Sequence, residues 1–533
     1  MLKKLLLIGL ISLGFYSCDD AIDIVQDGEL NDERLFTNVG NMQMFLNEVY
    51  DRVSVQNDIM VSSLLTDEVG LGSAGFANDT QRFFIFSTNG YASAIWSQHY
   101  QAINYANRLI RGAQLVNPTT PADITAYNNI LAQARAIRAF CHFQLLTYFS
   151  PDMSNNNAPG VMKMDYVPTI QQLNPRATTG EVFGLIESDL LFAENNISTA
   201  TTGTDSWKYF NSNTINALRA RMYLYRKNYV LAEQYADAAI ANGPALATCT
   251  FGNSANIPQT TSVIPPYTAG QVTALTAMEA AAASATNAPL YRRMWVDQAS
   301  AQGEMIFSLG RLNNNANFGS QYNTNQSNLG GGPLFDMGRT LFDLYSQPLG
   351  GGAEDFRRWS FVDRTSTISA TPATATKNGE VIVIDKYPGK TGNAGSNDLK
   401  VFRTSEMYLI KAECRARAND LPGAALLVQQ VRQARNYIAA GIVPLPVYGS
   451  NMAAYADILL ERRKELAFEG HRYIDLKRLG ADAGVTSTDR YPQDSVNASA
   501  TNPANINVTD YRFTLPIPQN EVTVNPMSQN TGY

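Results

Sequence analysis

A chain of 533 residues exceeds what one ordinary hydrophobic core organises, so several sub-regions or a repeat architecture are expected. Hydrophobic residues make up 45% of it, as in a globular protein, and 41 Lys and Arg against 47 Asp and Glu leave a net charge of -6 with no long basic block. Phosphate-backbone neutralisation has no source in such a chain, and nucleic acid is excluded as a partner.

The chain opens with Met1, Lys3 and Lys4, followed by an apolar run from Leu5 to Leu13 broken only by Gly9 and Ser12. A positive start before a short apolar stretch predicts a secretory signal over residues 1–17, too short to span a bilayer comfortably. Cys18 follows directly, preceded by the small Ser17, as lipoprotein maturation requires: the thiol accepts a diacylglyceryl group and the freed amine becomes the new terminus. Phe15 is bulkier than the residue usual at that position. Residues 18–34 are acidic and polar, a solvated tether between lipid and fold. The other cysteines are Cys141, Cys249 and Cys414, an odd number for an oxidising compartment. They predict small buried side chains rather than a disulfide framework. His99, His142 and His471 lie far apart, and no cysteine–histidine or EF-hand-like spacing predicts a metal or other cofactor.

Helical periodicity dominates residues 40–150, 180–242 and 400–480. Small residues at Ala220, Ala232 and Ala239, with Tyr223 between them, fit the tetratricopeptide spacing, in which small side chains let antiparallel helices approach closely. Ala412 and Ala424 repeat the interval of twelve across a turn at Asn419–Gly423. A third run, Ala134–Phe143, alternates small and large groups and stops at Ser150-Pro151-Asp152. Such units cannot bury their faces alone and must stack. The fold class is therefore mainly α, a scaffold of TPR-like helix pairs over residues 35–249, joined by a helix pair and signature segment at 398–533. Between them, residues 250–397 turn irregular: Pro258, Pro265 and Pro266, an alanine-rich helix near 272–286, then an asparagine-rich tract from Asn313 to Asn325 closing at Gly330–Pro333. Long irregular segments inside a compact protein carry function or stay disordered; the aromatics of this one favour function, and residues 250–397 are read as the loop-rich region that carries the ligand-binding face.

Near the C-terminus, a helix beginning at Leu459 reads Glu461-Arg462-Arg463-Lys464-Glu465-Leu466-Ala467-Phe468-Glu469-Gly470-His471-Arg472-Tyr473 and continues to Gly480. Glu461, Glu465 and Glu469 fall at i, i+4 and i+8, three carboxylates on one helix face. A glycosidase needs two carboxyl groups across a cleft, which one row interleaved with Arg462, Arg463, Lys464 and Arg472 does not supply. Ion pairs between helices, with Arg432 or Arg435, are expected instead. The same reading gives Arg135 and Arg138 partners on adjacent helices, makes His471 a packed or surface residue, and leaves Trp207 and Trp359 to packing. No residue is assigned a catalytic role.

This segment resembles the C-terminal signature of SusD/RagB proteins. Three more matches stand in the family's order: Arg135–Phe140, Arg403–Arg417 with Glu406, Tyr408 and Glu413, and Leu515–Glu521 running on to Asn525-Pro526 and Gly532-Tyr533. With the lipoprotein start, the resemblance covers essentially the whole chain. It implies a nutrient-binding lipoprotein of the cell outer membrane that binds an oligosaccharide or peptide and partners a SusC-like TonB-dependent transporter, without chemistry of its own. The acidic residues after Cys18 resemble those of surface-exposed lipoproteins. Family members place flat aromatics and amides for sugar rings on loops before a Trp-x-x-x-Tyr helix and past the middle of the chain. Carried onto this sequence, these are Thr66–Trp96, with Asp67, Phe76, Asn78, Phe83, Tyr91 and Trp96, and Tyr291–Gly332, with Trp295, Phe318, Tyr322 and Asn323. Trp96 is equally suited to anchoring its helix in the core. Two competing readings are a surface glycan hydrolase, which would pair carboxylates among Asp67, Glu68 and Asp79, and a subunit that only gates the transporter.

Overall fold

The computed structural model describes residues 32–76, 78–169, 171–197, 205–250, 268–282, 288–297, 302–311, 318–322, 332–376, 378–390, 395–495 and 503–533. Cys18, the predicted signal segment and most of the tether lie outside the described residues, as does Asn323.

The main helices described in the N-terminal half are α1 (Val39–Arg52), α2 (Gln56–Leu64), α3 (Gly90–Gly112), α4 (Pro121–Phe149), α5 (Thr179–Asn196), α6 (Ser212–Tyr225) and α7 (Tyr229–Asn242). Their limits follow from local chemistry. Pro121 occupies the first turn of α4, where its missing N–H costs nothing, and the Thr120 side chain accepts from Asp123 N. Thr178 and Glu181 form a reciprocal capping box on α5. α4 packs against α1, α3 and α5, and its second half, from Ala136 to Phe149, is buried on every side. Arg138 of α4 makes a bidentate pair with Asp189 of α5, at 2.8 and 2.7 Å, while the Arg135 guanidinium lies 4.1 Å from the Phe192 ring.

The alanine-rich stretch forms α8 (Ala269–Ala282). The C-terminal part supplies α9 (Thr404–Arg417), α10 (Leu421–Ala434), α11 (Asn451–Glu465) and α12 (Arg472–Leu479). α6 pairs with α7 and α9 with α10, and α9 docks back on α7, so the two TPR-like pairs stack across a large sequence gap. Ala220, Ala232, Ala239, Ala412 and Ala424 are all fully buried at these contacts. One device turns both pairs. Lys227 (φ 59°) and Asn419 (φ 64°) take the left-handed conformation, and the next residue, Asn228 or Asp420, caps the following helix with its side chain. This shared turn is why the alanines recur at the same interval.

Two short antiparallel ladders tie the irregular middle to both ends. β1 (Val69–Leu71) pairs with β3 (Phe335–Met337), and β2 (Met305–Leu309) pairs with β4 (Leu399–Arg403). The main core extends from Phe36 to Met527, and a smaller one lies between α9, α10 and α11. Cys141, Cys249 and Cys414 are free and buried, and Trp207 and Trp359 pack into the core.

The expectation of one continuous charged helix from Leu459 to Gly480 is corrected. α11 stops at Glu465, Phe468 (φ 61°) and Gly470 (φ 87°) turn the chain through left-handed conformations, and α12 restarts at Arg472. Phe468 is held in that costly geometry from three sides. Its N–H donates to Glu68 Oε1 at 3.0 Å, its carbonyl accepts from the Tyr387 hydroxyl at 2.8 Å, and its ring packs 5.6 Å from that of Tyr322. Glu469 thus leaves the helix face of Glu461 and Glu465, yet all three join one buried ion network. Glu461 meets Arg357 (2.6 Å) and Arg432 (2.7 Å), Glu465 meets Arg403 (2.7 Å) and Arg435 (2.8 Å), and Glu469 meets Lys386 (2.6 Å) and Arg403 (2.7 Å). His471 is packed inside, and burial together with the surrounding Arg221 and Arg462 keeps it neutral.

Candidate functional site

The segment between β1 and α3 builds an open cleft. Its start is pinned where Gly72 and Gly75 pass so close to Pro333 and Leu334 that a Cβ would sit 2.3 and 2.2 Å from their carbonyl oxygens. Next, Asn78 Oδ1 accepts from Gln81 N at 3.1 Å and the chain winds through one tight turn to Phe83, which has φ 61°. From there it runs extended, and side chains alternate sides. Phe83 and Ile85 point inward, with the Arg490 guanidinium 4.0 Å from the Phe83 ring, whereas Phe84 and Phe86 point outward and Phe86 is 62% exposed. Asn89 then caps α3 through Ala92 N (3.0 Å) while its amide donates to Thr80 Oγ1 (2.9 Å), locking the segment onto the helix.

The result is a cleft of about 450 Å³ walled by Phe84, Phe86 and Tyr91 and edged by Asn57, Asn78, Asp79 and Asn89. That volume suits an oligosaccharide-sized ligand. Its floor is rigid: Asn57 Nδ2 donates to Gln98 Oε1 (2.8 Å), and Gln98, His99 and Gln144 converge on the buried Asp58. Burial lifts the Tyr91 phenol above its ordinary range, against a hydrogen bond to the Asn78 side chain that lowers it. Aromatic faces beside amides and one carboxylate can stack on the C–H faces of a pyranose and bind its hydroxyls.

The nominated residues divide. Asn78 and Tyr91 line the cleft, and Phe76, 85% exposed, stands on the same segment. Trp96, Trp295, Phe318 and Tyr322 do not present a face to any ligand, which corrects the expectation for them: each is at most 1% exposed. Trp96 packs edge-on to Phe149 at 5.0 Å, within the core, as its alternative role required. Trp295 lies against Phe361 and Tyr387 with the Lys386 ammonium 4.5 Å from its ring. Phe318 and Tyr322 cluster with Tyr387, and the Tyr322 hydroxyl donates to Ser63 Oγ at 2.9 Å, so both aromatics are core residues.

Asp67 is corrected in the same way. It is 1% exposed and bound bidentately by Arg472 at 2.8 Å twice; burial works to raise its pKa, but Arg463 and Arg472 outweigh that and hold the carboxyl far below the usual range. Its neighbour Glu68 goes the other way, pushed up by burial to about 7. Both are buried, and Asp79 is the carboxylate that lines the cleft among its described residues. Sequence reasoning missed Phe84, Phe86 and Asn89. The signal was present in the alternation Phe83-Phe84-Ile85-Phe86, though which pair faces solvent depends on the turn before it.

Known proteins align with this chain along its length. The family model described as "SusD family" matches residues 365–533, and one described as "Starch-binding associating with outer membrane" matches residues 20–224. SusD-like protein P2 of Formosa agariphila is 23% identical over 545 residues, covering 95% of both chains. Among solved structures, a putative sugar binding protein from Bacteroides vulgatus superposes with a TM-score of 0.68 at 21% identity, over 93% of this chain and 99% of its own. A laminarin binding SusD-like protein superposes with a TM-score of 0.61 at 19% identity, over 93% of this chain and all of its own.

Proposed function

We propose, from the premise that the chain belongs to the SusD-like family, that it is a lipid-anchored protein of the cell outer membrane that binds a glycan and passes it to a SusC-like TonB-dependent transporter. The observation that carries the binding role is the cleft before α3, where Phe84, Phe86 and Tyr91 offer outward aromatic faces beside Asn78, Asp79 and Asn89. Likeness to a laminarin binding protein supports glycan as the ligand class. Phe76 belongs to this proposal as a contact at the lip. Anchoring rests on Cys18 and the apolar run before it, and no helix among the described residues is long and apolar enough to cross a membrane.

Binding without turnover is the second half of the reading. Hydrolysis of a glycoside takes two carboxyl groups flanking the bond. Asp67 and Glu68, the partners Asp79 would need, are buried with their oxygens engaged by Arg472, Ser63 and the Phe468 N–H.

The test is a soluble form lacking residues 1–18, titrated with laminarin, starch, xylan and mannan oligosaccharides while the solution is assayed for released sugars. Saturable binding to one series without release is the expected outcome. Released sugars would replace the reading with a hydrolase. Failure of every glycan to shift the melting temperature, alongside co-purification of a SusC-like transporter, would leave a gating subunit.

A further inference from the structure

A second cleft, of about 210 Å³, opens on the opposite side of α3. Tyr91 and Ala94 face the first; Tyr100, Ile103, Asn104 and Asn107 face the second, roughly half a turn away around the helix. Its floor is apolar, made by Ile103, Met162 and Met164, and its rim is polar. The rim is set in advance by its own hydrogen bonds. Tyr166, 38% exposed, donates from its hydroxyl to Asn174 Oδ1 at 2.6 Å; Asn174 N donates to Asn525 Oδ1 at 2.8 Å, and Asn525 Nδ2 donates to Glu521 Oε2 at 2.9 Å. Asn107 Nδ2 holds the loop beneath by donating to the Met164 and Tyr166 carbonyls at 3.1 and 2.8 Å. An exposed aromatic ring, side-chain amides and one carboxylate over an apolar floor repeat the chemistry of the first cleft.

The segments that border the two clefts are joined at a ridge formed by Ser87 and Gln519. Gln519, which begins the short helix Gln519–Val524, receives a hydrogen bond at its Oε1 from Ser87 Oγ (2.8 Å) and donates from its backbone N–H to the Ser87 carbonyl (2.9 Å). Ser87 lies between Phe86 and Thr88 of the first cleft, and Glu521 of the same short helix and Asn525 just after it border the second. We propose that the second cleft is an additional glycan subsite, which takes the continuation of a polysaccharide chain whose first sugars occupy the cleft before α3. This rests on the function proposed above. One chain crossing the ridge engages both clefts, so its second contact is intramolecular and affinity grows with chain length without new contacts in the first cleft.

The experiment titrates the soluble protein with laminari-, malto-, xylo- and manno-oligosaccharides graded from two units upward. Three variants run beside it: Tyr166→Ala, Tyr166→Phe, and Phe86→Ala in the first cleft. In the series that binds, wild type should gain at least about tenfold in affinity from short to long chains. Tyr166→Ala should lose that gain while keeping short-chain affinity and melting temperature, and Tyr166→Phe, which retains the ring, should restore it. Phe86→Ala should weaken every length. A length dependence unchanged in Tyr166→Ala overturns the subsite and leaves the first cleft standing, as does a Tyr166→Ala variant that weakens short chains equally. Absence of binding by wild type to all four series overturns both the proposed function and this inference.

Discussion

Phe83 and Phe84 are adjacent and chemically alike, yet one is core and the other faces the cleft, because a left-handed backbone at Phe83 sets the phase of the extended run after it. Removing outward rings should therefore cost binding and not fold. Phe86→Ala and Tyr91→Ala are expected to weaken glycan affinity by about tenfold, the worth of one stacking ring, with little change in melting temperature for Phe86→Ala; calorimetric titration checks both. Beneath the cleft, Glu68 predicts a pH effect. Burial raises its pKa from 4.5 to about 7, so below 4.5 it is protonated in both folded and unfolded states. Between those values only the unfolded chain ionises, and stability falls as pH rises through the window, by about 3 kcal/mol in full. Asp494, raised by burial to about 7, acts in the same direction. Glu68→Gln keeps the acceptor for Phe468 N–H and removes the titration. Its melting temperature should decline less than that of wild type between pH 5 and pH 7.5, as a thermal scan at the two values would read.

At the scale of elements, the paired turns make a sharper prediction than the helices do. Lys227 carries a left-handed φ that a glycine adopts without penalty, so Lys227→Gly is expected to leave stability unchanged or raise it by up to about 1 kcal/mol. Asp420→Ala removes the oxygen that accepts from Gly423 N and should cost about 1 kcal/mol. Gly470→Ala should cost about 1–2 kcal/mol through its φ of 87° alone, since a Cβ there meets nothing closer than 3.6 Å. Chemical denaturation midpoints separate these three outcomes. The turn motif was readable in advance, because Asn228 and Asp420 are capping residue types set between alanine-spaced helices. The break after Glu465 was not, since its four following residues, Leu466 to Glu469, read as good helix until Tyr387 and Glu68 claim the Phe468 backbone.

Over the whole molecule, the buried ion network is the joint where the irregular middle and both helical ends meet. Arg403 ends β4, Arg435 follows α10, and Arg357 and Lys386 come from the middle; these four pair with Glu461, Glu465 and Glu469, while Glu304, just before β2, shares Arg403 and Arg435 with Glu465. A neutral side chain at its centre takes one carboxylate partner from each of three buried arginines, so Glu465→Gln should destabilise by about 3 kcal/mol. A double change to Glu465→Met with Arg435→Met should lose less than the two single changes summed, and denaturant unfolding of the four proteins measures it. Burial opposes ionisation of Glu465, but Arg435 and Arg403 hold it ionised far below the usual carboxylate range. Its stabilisation is therefore present above about pH 4.5 and is lost only in stronger acid.

The helical class, the stacked pairs and the role of the charged segment as scaffold were legible in the amino-acid sequence, whereas the cleft is lined by residues between Asn57 and Ala94 and not by the irregular stretch 250–397. The legible features are written in local spacing: alanines at helix-pair intervals, caps at turns, glutamates opposed to arginines. Which aromatics of the two loop segments meet solvent was decided only by tertiary structure. Phe318, Tyr322 and Trp295 sit in loop-like sequence, yet Tyr387, Phe361 and Phe468, distant in the chain, close over them. Phe84 and Phe86 are left facing outward because Arg490, from the far end of the chain, covers Phe83 on the other side. Burial is a property of what packs from elsewhere, and local pattern carries no record of it.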